Sequence, residues 1–433
     1  MVPQNKHVVT SFIQSQEKLL LLQRSCEVGT DQRKWATVCG YLTGDDVPVP
    51  RALSEIREQT GLTSEQVTLI RSGELLRTYD DENDVVRVVH PLLFETHNPI
   101  IHRDWKHDGF TWINPNALCK YDTVPKLRES FERVRWDLQN APEALSSVID
   151  QVDAVRRDHT HGASYLGSRA VQIVGDAARL SDATNSDDLF RDLLNVILRL
   201  QQAQPSMATL RNLLGRLLYR VDSKRAEPVS AEQLRQFIGV TVDAELSTVK
   251  QTLNGVSKNC LALLGKRCKI LTHSYSSTVR QVLELAFANG KQLEVYATQS
   301  LPGSEGERLV NDLVSKGIRA TLIPDPKELH EFPRVDLVLV GADSVMTDGS
   351  VVNKIGTRDI SALSYSRSIP FYVVCETAKF STIHFLGQPI SLQGIPFDLT
   401  PCQFVTRIVS EMGELEPHDV ERQIKSTLRE LYT

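Results

Sequence analysis

Two groups of residues in this 433-residue chain have types and spacing that could do chemistry. In Val340–Thr357 an apolar run ends at Gly341, Asp343 follows it, and a turn falls at Asp348–Gly349. Asn353, Lys354, Gly356 and Thr357 then lead into a helix. If the run is a strand of a parallel sheet, Asp343 stands beyond its carboxyl end, where such sheets bind ligands. The Lys354 ammonium and the N–H groups of a helix starting at Gly356–Thr357 suit an anion. The second group is Glu55 and Glu58, one helical turn apart, with Asp46 upstream. Carboxylates so placed hold divalent cations such as Mg²⁺, which bind a diphosphate and activate water. Against the first reading, a carboxylate near a lysine is more often a structural ion pair.

Other candidates carry less. Ser274 follows His273, but adjacent residues of an extended segment point in opposite directions, which opposes a Ser–His nucleophile. His159 and His161 lack a third ligand at metal spacing, and Cys375 ends an apolar run and reads as core. Trp35, before Gly40, is a candidate for stacking on a base or sugar, whereas Trp105 and Trp112 read as packing residues.

The elements that must position these groups fall into three regimes. Residues 7–14, 19–24 and 85–94 read as strands, and Pro50–Thr60 as a helix with Pro in its first turn and Gly61 past its end. Residues 110–115 and a helix over 124–135 close this α+β part. From Ala141 to Leu264 the period turns helical, with amphipathic stretches over 142–152, 186–200, 208–221 and 231–264. From Cys268 onward strands (268–272, 293–297, 320–323, 337–340, 371–374) alternate with helices (278–289, 306–315, 358–367), the pattern of a mostly parallel sheet. The expected architecture is therefore α/β and multidomain, in units 1–138, 139–264 and 265–433, with a linker at Gln139–Pro142.

Composition narrows the class. Hydrophobic residues make 41% and charged residues 24%, which excludes disorder as the dominant state. Forty-nine Lys and Arg against fifty-four Asp and Glu give −5, no field for direct nucleic-acid binding. No apolar run approaches the roughly 18 residues that cross a bilayer. Seven scattered Cys without a C-x-x-C read as reduced thiols, so a cytoplasmic protein without membrane contact is expected.

Gly40, Asp46 and the run Ser54–Leu62, with Lys34–Trp35 before them, resemble the Nudix signature in every spacing. That resemblance implies a Nudix fold over the first 135 residues and a Mg²⁺ site at Glu55 and Glu58, with Glu55 catalytic in an active enzyme. Ser54 stands at the family's Arg, Gln59 at a Glu and Asp46 at a Glu. Gln offers no charge to Mg²⁺, so the expectation is a Nudix-like accessory domain, not a hydrolase.

Val340–Thr357 resembles the α/β/δ regulatory subunits of translation initiation factor 2B. It also resembles ribose-1,5-bisphosphate and methylthioribose-1-phosphate isomerases. Residues 161–166, 203–208, 270–279, 373–380, 397–401 and 408–415 support this in the expected order, and 371–374 supplies the Rossmann-like sheet's last expected strand. The resemblance implies a sugar-phosphate crevice between helical and sheet units, formed by His161, Gly162, Gln204, Thr272, His273, Ser274, Asp343, Asn353 and Lys354. Asp343 matches the catalytic acid, while Ser274 stands at the catalytic Cys and is a far weaker acid. Gln204 and Leu301 stand where the family has arginines, and Arg169, Arg211, Arg280 and Arg308 are the available substitutes. The resemblance implies a regulatory protein that binds a phosphorylated sugar or nucleotide, forms a homo-oligomer and meets a translation-factor partner. The alternatives are an aldose–ketose isomerase and a Nudix hydrolase.

Overall fold

The structure is a computed structural model that describes residues 4–43, 46–80, 85–98, 100–135, 142–158, 161–204, 207–301, 303–325, 333–381 and 397–424. His159, Pro302 and the Gln139–Ala141 part of the expected linker lie outside the described residues.

The N-terminal part is an eight-stranded mixed sheet centred on Gln4–Ser15, which pairs in parallel with Val85–Thr96 and antiparallel with Lys18–Arg24. The apolar run at Leu19–Leu22 is continuous because both faces of the sheet are covered. Leu20 and Leu22 face one core with Val9, Ile13 and Ile56, while Leu19 and Leu21 face another with Phe12 and Phe131. The helix Pro48–Thr60 covers the first face and ends at Gly61, whose φ of 72° lets its N–H return to the Arg57 carbonyl. The helix read over 124–135 is shorter, Leu127–Glu132, and covers the second face. Sequence reading missed the short strands Trp35–Ala36, Val38–Tyr41, Val67–Ser72 and Leu76–Asp80.

Five helices follow: Ser146–Arg157, Ala163–Leu180, Ser186–Ala203, Ala208–Arg225 and Ala231–Leu263. They share a core through Leu166, Ile173, Leu193, Ile197, Leu210, Leu217 and Ile238. Gly167 permits a close crossing, since a Cβ there would lie 2.7 Å from the Thr209 methyl. The last helix opens with a capping box of Ser230 and Gln233. Its first half packs in the helical core through Leu234 and Ile238, and its second half in the sheet core through Val256 and Cys260. One rod thus fixes the helical layer against the sheet.

The C-terminal sheet runs in the order Arg319–Ile323, Gln292–Thr298, Arg267–Thr272, Leu337–Val340, Phe371–Val374, Arg407–Ser410, Gly413–Leu415. Every pair is parallel except the last. The chain builds outward on one side of Arg267–Thr272 and then crosses to the other, so the reversal lies between that strand and Leu337–Val340. Open sheets bind ligands outside such a reversal. A three-stranded antiparallel sheet, Ser344–Val345, Val351–Lys354 and Phe397–Thr400, stands beside it. Asn353 and Lys354, expected only to lead into a helix, therefore lie on a strand. No described helix is long and apolar enough to cross a membrane.

Candidate functional site at the carboxyl edge of the parallel sheet

Two adjacent strands deliver the central groups. Arg267–Thr272 ends into His273 and Ser274, and Leu337–Val340 ends into Gly341 and Asp343. The two turns meet closely, because a Cβ on Gly341 would lie 2.5 Å from Ser276 Oγ. The helical layer closes over them. The Ala208 N–H donates to Ser344 Oγ at 3.1 Å, and the Ser164 hydroxyl donates to Glu376 Oε1 at 3.0 Å. Gly162 faces the Tyr275 carbonyl, with 4.0 Å between its notional Cβ and that oxygen.

Asp343 anchors only its backbone, N–H to the Val352 carbonyl at 2.9 Å. Its carboxyl has no hydrogen bond or ion pair among the described residues. Burial pushes that carboxyl up to about 6, with Lys379 and Lys354 pulling it down and Glu305 pushing it further up. Both lysines are buried and already engaged: Lys354 Nζ lies 2.6 Å from Glu305 Oε1, and Lys379 Nζ 3.4 Å from Glu376 Oε2. Burial works against charge on Glu376, yet the Lys379 ammonium and the Ser164 and Thr278 hydroxyls hold it below the usual carboxylate range. Glu305 Oε2 is buried without a hydrogen-bond partner among the described residues, and Glu376 Oε2 has there only its ion pair with Lys379.

The remaining expected residues divide into those near Asp343 and those used elsewhere. Ser274 sits beside the crevice at φ 65°, its N–H donating to Ser300 Oγ at 2.7 Å. Such a backbone in a residue with a Cβ is the strain functional turns often store. Its neighbour His273 is locked: Nε2–H donates to the Ile355 carbonyl at 2.9 Å and Nδ1 accepts from the Thr298 hydroxyl at 2.5 Å. Burial lowers its pKa, so the ring is neutral and has no free nitrogen for a ligand. The buried Thr272 hydroxyl has no hydrogen-bond partner among the described residues. His161 stacks on Tyr165 at 4.1 Å and bonds Asp158 at 2.7 Å. Gln204 does not face a ligand: its amide donates to the Val155 and Asp158 carbonyls at 2.9 and 3.1 Å, closing the end of the Ser146–Arg157 helix. Asn353 donates to Thr357 Oγ1 at 3.1 Å.

Nor are the expected anion-binding N–H groups open. At the expected helix start the Gly356 N–H donates to Asp398 at 2.7 Å, as does the Arg358 N–H at 3.3 Å; at a second turn, not expected in that role, the N–H groups of Ser300 and Leu301 donate to Asp325 at 2.6 and 2.8 Å. Of the substitute arginines, Arg211 bonds the Ser72 carbonyl, Arg169 bonds Gln151 and Arg280 bonds Glu284. Arg308 lies 4.4 Å over the Tyr275 ring. Sequence reading missed Glu305, Asp325, Glu376, Lys379 and Asp398 as site residues. Glu376 and Lys379 were within a stretch already singled out, and their spacing of three is the signal that could have paired them.

On the Pro48–Thr60 helix, Glu55 is buried and bonded to Arg51 through Oε1 and to Gln59 Nε2 through Oε2, the latter at 2.7 Å. Gln59 also donates to the Cys39 carbonyl at 2.7 Å. Glu58 faces outward and pairs with Lys106 at 2.8 Å. Asp46 accepts from Thr43 N–H at 2.9 Å. The carboxylates therefore do not converge, and among the described residues no group of three His, Cys, Asp or Glu could hold a metal. This donor set does not fit Mg²⁺, which needs oxygen ligands around one point. Trp35 packs edge-on against Tyr121 at 5.5 Å and belongs to the core under Phe12 and Phe131.

Comparison with known proteins agrees with this architecture. The Initiation factor 2 subunit family matches residues 159–417, more than half of the chain. The chain belongs to that family. A NUDIX domain matches residues 5–134. The chain is similar to a translation initiation factor eIF-2B subunit 2-like protein of Pyrococcus furiosus, with 27% identity over 64% of this chain and 98% of that one. A ribose 1,5-bisphosphate isomerase of Archaeoglobus fulgidus is 26% identical over 63% of this chain and 91% of its own. The fold matches a chain of the tetrameric eIF2B β2δ2 complex from C. thermophilum, with TM-score 0.56, 16% identity, and coverage of 70% and 99%.

Burial lifts the Asp343 carboxyl to about 6, into the range where a carboxyl exchanges its proton near neutrality. Ser274 supplies no second acid or base near neutrality. The Cys375 thiol is buried in the core, where desolvation pushes its pKa up.

Proposed function

We propose that this chain is a regulatory, initiation factor 2B-like member of its family that recognises a phosphorylated sugar or nucleotide without turning it over. The observation that carries the reading is the Asp343 carboxyl beyond the end of its strand, unpartnered among the described residues, with a serine and not a thiol at the end of the neighbouring strand. A ligand's hydroxyls would bond Asp343. Its phosphate would displace Glu305 from Lys354, a pair whose other carboxylate oxygen is already unsatisfied. In this reading Ser274, Thr272, Gly162 and His161 shape the entrance, and His273 and Gln204 hold the surrounding backbone. The units 1–138, 139–264 and 265–433 act together as a homo-oligomer beside translation-factor partners. Similarity to a chain of a tetrameric complex supports the assembly, and unpaired cysteines support a cytoplasmic setting.

The isomerase reading is the rival, favoured by the pKa of Asp343 and by the relative in Archaeoglobus fulgidus. Calorimetric titration with nucleoside monophosphates and sugar phosphates separates the two. Saturable heat that weakens at least tenfold in Lys354→Met, with no ketose product, supports recognition. Product formation lost in Asp343→Asn supports isomerisation, and heat from none of the panel removes the ligand.

A further inference from the structure

The Nudix-like and helical parts meet around a cavity of about 400 Å³, lined by no residue of the carboxyl-edge crevice. Three elements line it: the helix Leu127–Glu132 with its flanking residues, the helix Ser186–Ala203, and the last residue of Ala208–Arg225. Phe190, Leu194 and Leu198 recur at a spacing of four, so Ser186–Ala203 turns an apolar stripe to the cavity. The polar lining is uneven. It carries six cations, Lys126, Arg128, Arg133, Arg135, Arg191 and Arg225, against three carboxylates, Glu129, Glu132 and Asp187. All three carboxylates are taken within the chain. Lys126 at 2.6 Å and Arg225 at 3.3 Å hold Glu129, Arg135 at 3.3 Å holds Glu132, and Arg225 at 2.7 Å holds Asp187. Two acids outside the lining also reach its cations, Asp222 to Arg133 and Arg225, and Asp188 to Arg191.

One cation is left over. Arg128 is exposed and has no hydrogen bond or ion pair among the described residues. Arg133, almost wholly buried, has an Nε without an acceptor there. Guanidinium groups donate and never accept, so this lining is rich in donors and short of acceptors. A cation would be repelled, and a neutral guest would leave the donors stranded; an oxyanion satisfies them. The forks also arrive from three elements. A planar carboxylate engages one fork, whereas a tetrahedral phosphate accepts from several sides at once. The Arg225 and Arg133 guanidinium carbons lie 4.3 and 5.6 Å from the centre of the Phe190 ring, which holds both forks in place beforehand. The volume falls in the range of small-molecule sites, which favour domain interfaces. We infer that this seam binds a small molecule carrying more than one phosphate group, whose oxygens bridge Lys126 and Arg128 on the Nudix-like part to Arg191 and Arg225 on the helical part. Such a ligand binds the folded chain alone and therefore stabilises it.

The test is calorimetric titration of the full chain with inorganic tripolyphosphate in EDTA, paired with thermal denaturation at each ligand concentration. Saturable heat and a rising melting temperature are the expected results. The double variant Arg128→Gln, Arg191→Gln changes only exposed side chains, is checked for folding by circular dichroism, and lowers the affinity at least tenfold. Lys354→Met keeps the heat, so the outcome does not depend on the function proposed above. Citrate binds more weakly than tripolyphosphate, and potassium chloride at matched ionic strength leaves the melting temperature where it was. Absence of saturable heat overturns the proposal, as does heat indifferent to the double variant. Equal affinity for citrate overturns the choice of phosphate, and a melting shift reproduced by potassium chloride reduces the effect to screening. Heat lost in Lys354→Met but kept in the double variant also overturns it, by assigning tripolyphosphate to the carboxyl-edge crevice.

Discussion

Because burial lifts the Asp343 carboxyl to about 6, the folded chain holds a proton there more tightly than the unfolded chain, whose Asp titrates near its ordinary value of 3.8. A group shifted upward contributes stability that is fully present below the unfolded pKa and is lost as pH rises through the folded one. Asp343→Asn removes that loss. The variant is expected to match the parent at pH 4 and to exceed it above pH 6, by up to about 3 kcal/mol. Thermal denaturation of both proteins between pH 4 and pH 8 checks it, and a gap that is constant or widens toward acid contradicts it. Lys379 and Glu376 behave in the opposite sense. Their pair is buried, so Glu376→Ala leaves an uncompensated ammonium and should cost roughly 3–5 kcal/mol in denaturant titration. What was legible here was Asp343 itself, from an apolar run ending in Gly-Ala-Asp. What was not legible was its company, because Glu305, Asp325 and Asp398 come from distant segments that only the fold brings together.

At the scale of elements, the expected strands and helices of residues 268–374 lie within a residue or two of their places, the central strand Leu337–Val340 being an apolar run buried throughout, whereas Arg407–Ser410 and Gly413–Leu415, which extend the sheet, were not expected. The stretch after Asp343 misled. No strand was expected over Val351–Lys354, yet the chain pairs it with Phe397–Thr400, a partner more than forty positions away that no local pattern announces. The helix that follows was correctly expected, yet its N–H groups serve Asp398 as a cap and not a ligand. The Pro48–Thr60 helix was equally legible, as were the substitutions in its signature at Ser54 and Gln59. Its replacement chemistry came from Arg51, which sequence reading passed over although it lies four positions before Glu55. Restoring the acid by Gln59→Glu would set a carboxylate against both the Cys39 carbonyl and Glu55. The expected result is a loss of about 1–3 kcal/mol at pH 7, recovered toward pH 4 as the new acid protonates. Denaturation at the two pH values measures it, and a variant stabilised at pH 7 contradicts the Gln59 contacts.

Across the whole molecule, the Nudix-like and helical parts are joined by buried charge. Arg133, 1% exposed, bonds the Leu75 carbonyl and pairs with Asp222 at 2.6 Å, and Asp222 in turn holds Arg225 at 2.8 Å. Arg71 reaches Gln201 at 3.2 Å beside Arg211, and burial with that like charge lowers its pKa to about 10. Ionic contacts of this kind resist separation because breaking one partner strands the other. A double-mutant cycle of Arg133→Met and Asp222→Asn should give a coupling of about 2 kcal/mol or more, read from denaturant unfolding. Additive effects would mean the pair contributes no coupling between the parts. None of this junction was legible in sequence, where Arg133 and Asp222 stand in separate helices with no shared pattern.

The central claim is recognition without turnover at the carboxyl edge of the parallel sheet. It is tested most directly by titrating the full chain with ribose 1,5-bisphosphate in a calorimeter and then recording phosphorus NMR on the same sample. Saturable heat that depends on Lys354, with phosphate resonances unchanged after prolonged incubation, is the predicted result. Conversion to a ketose bisphosphate that disappears in Asp343→Asn would contradict it.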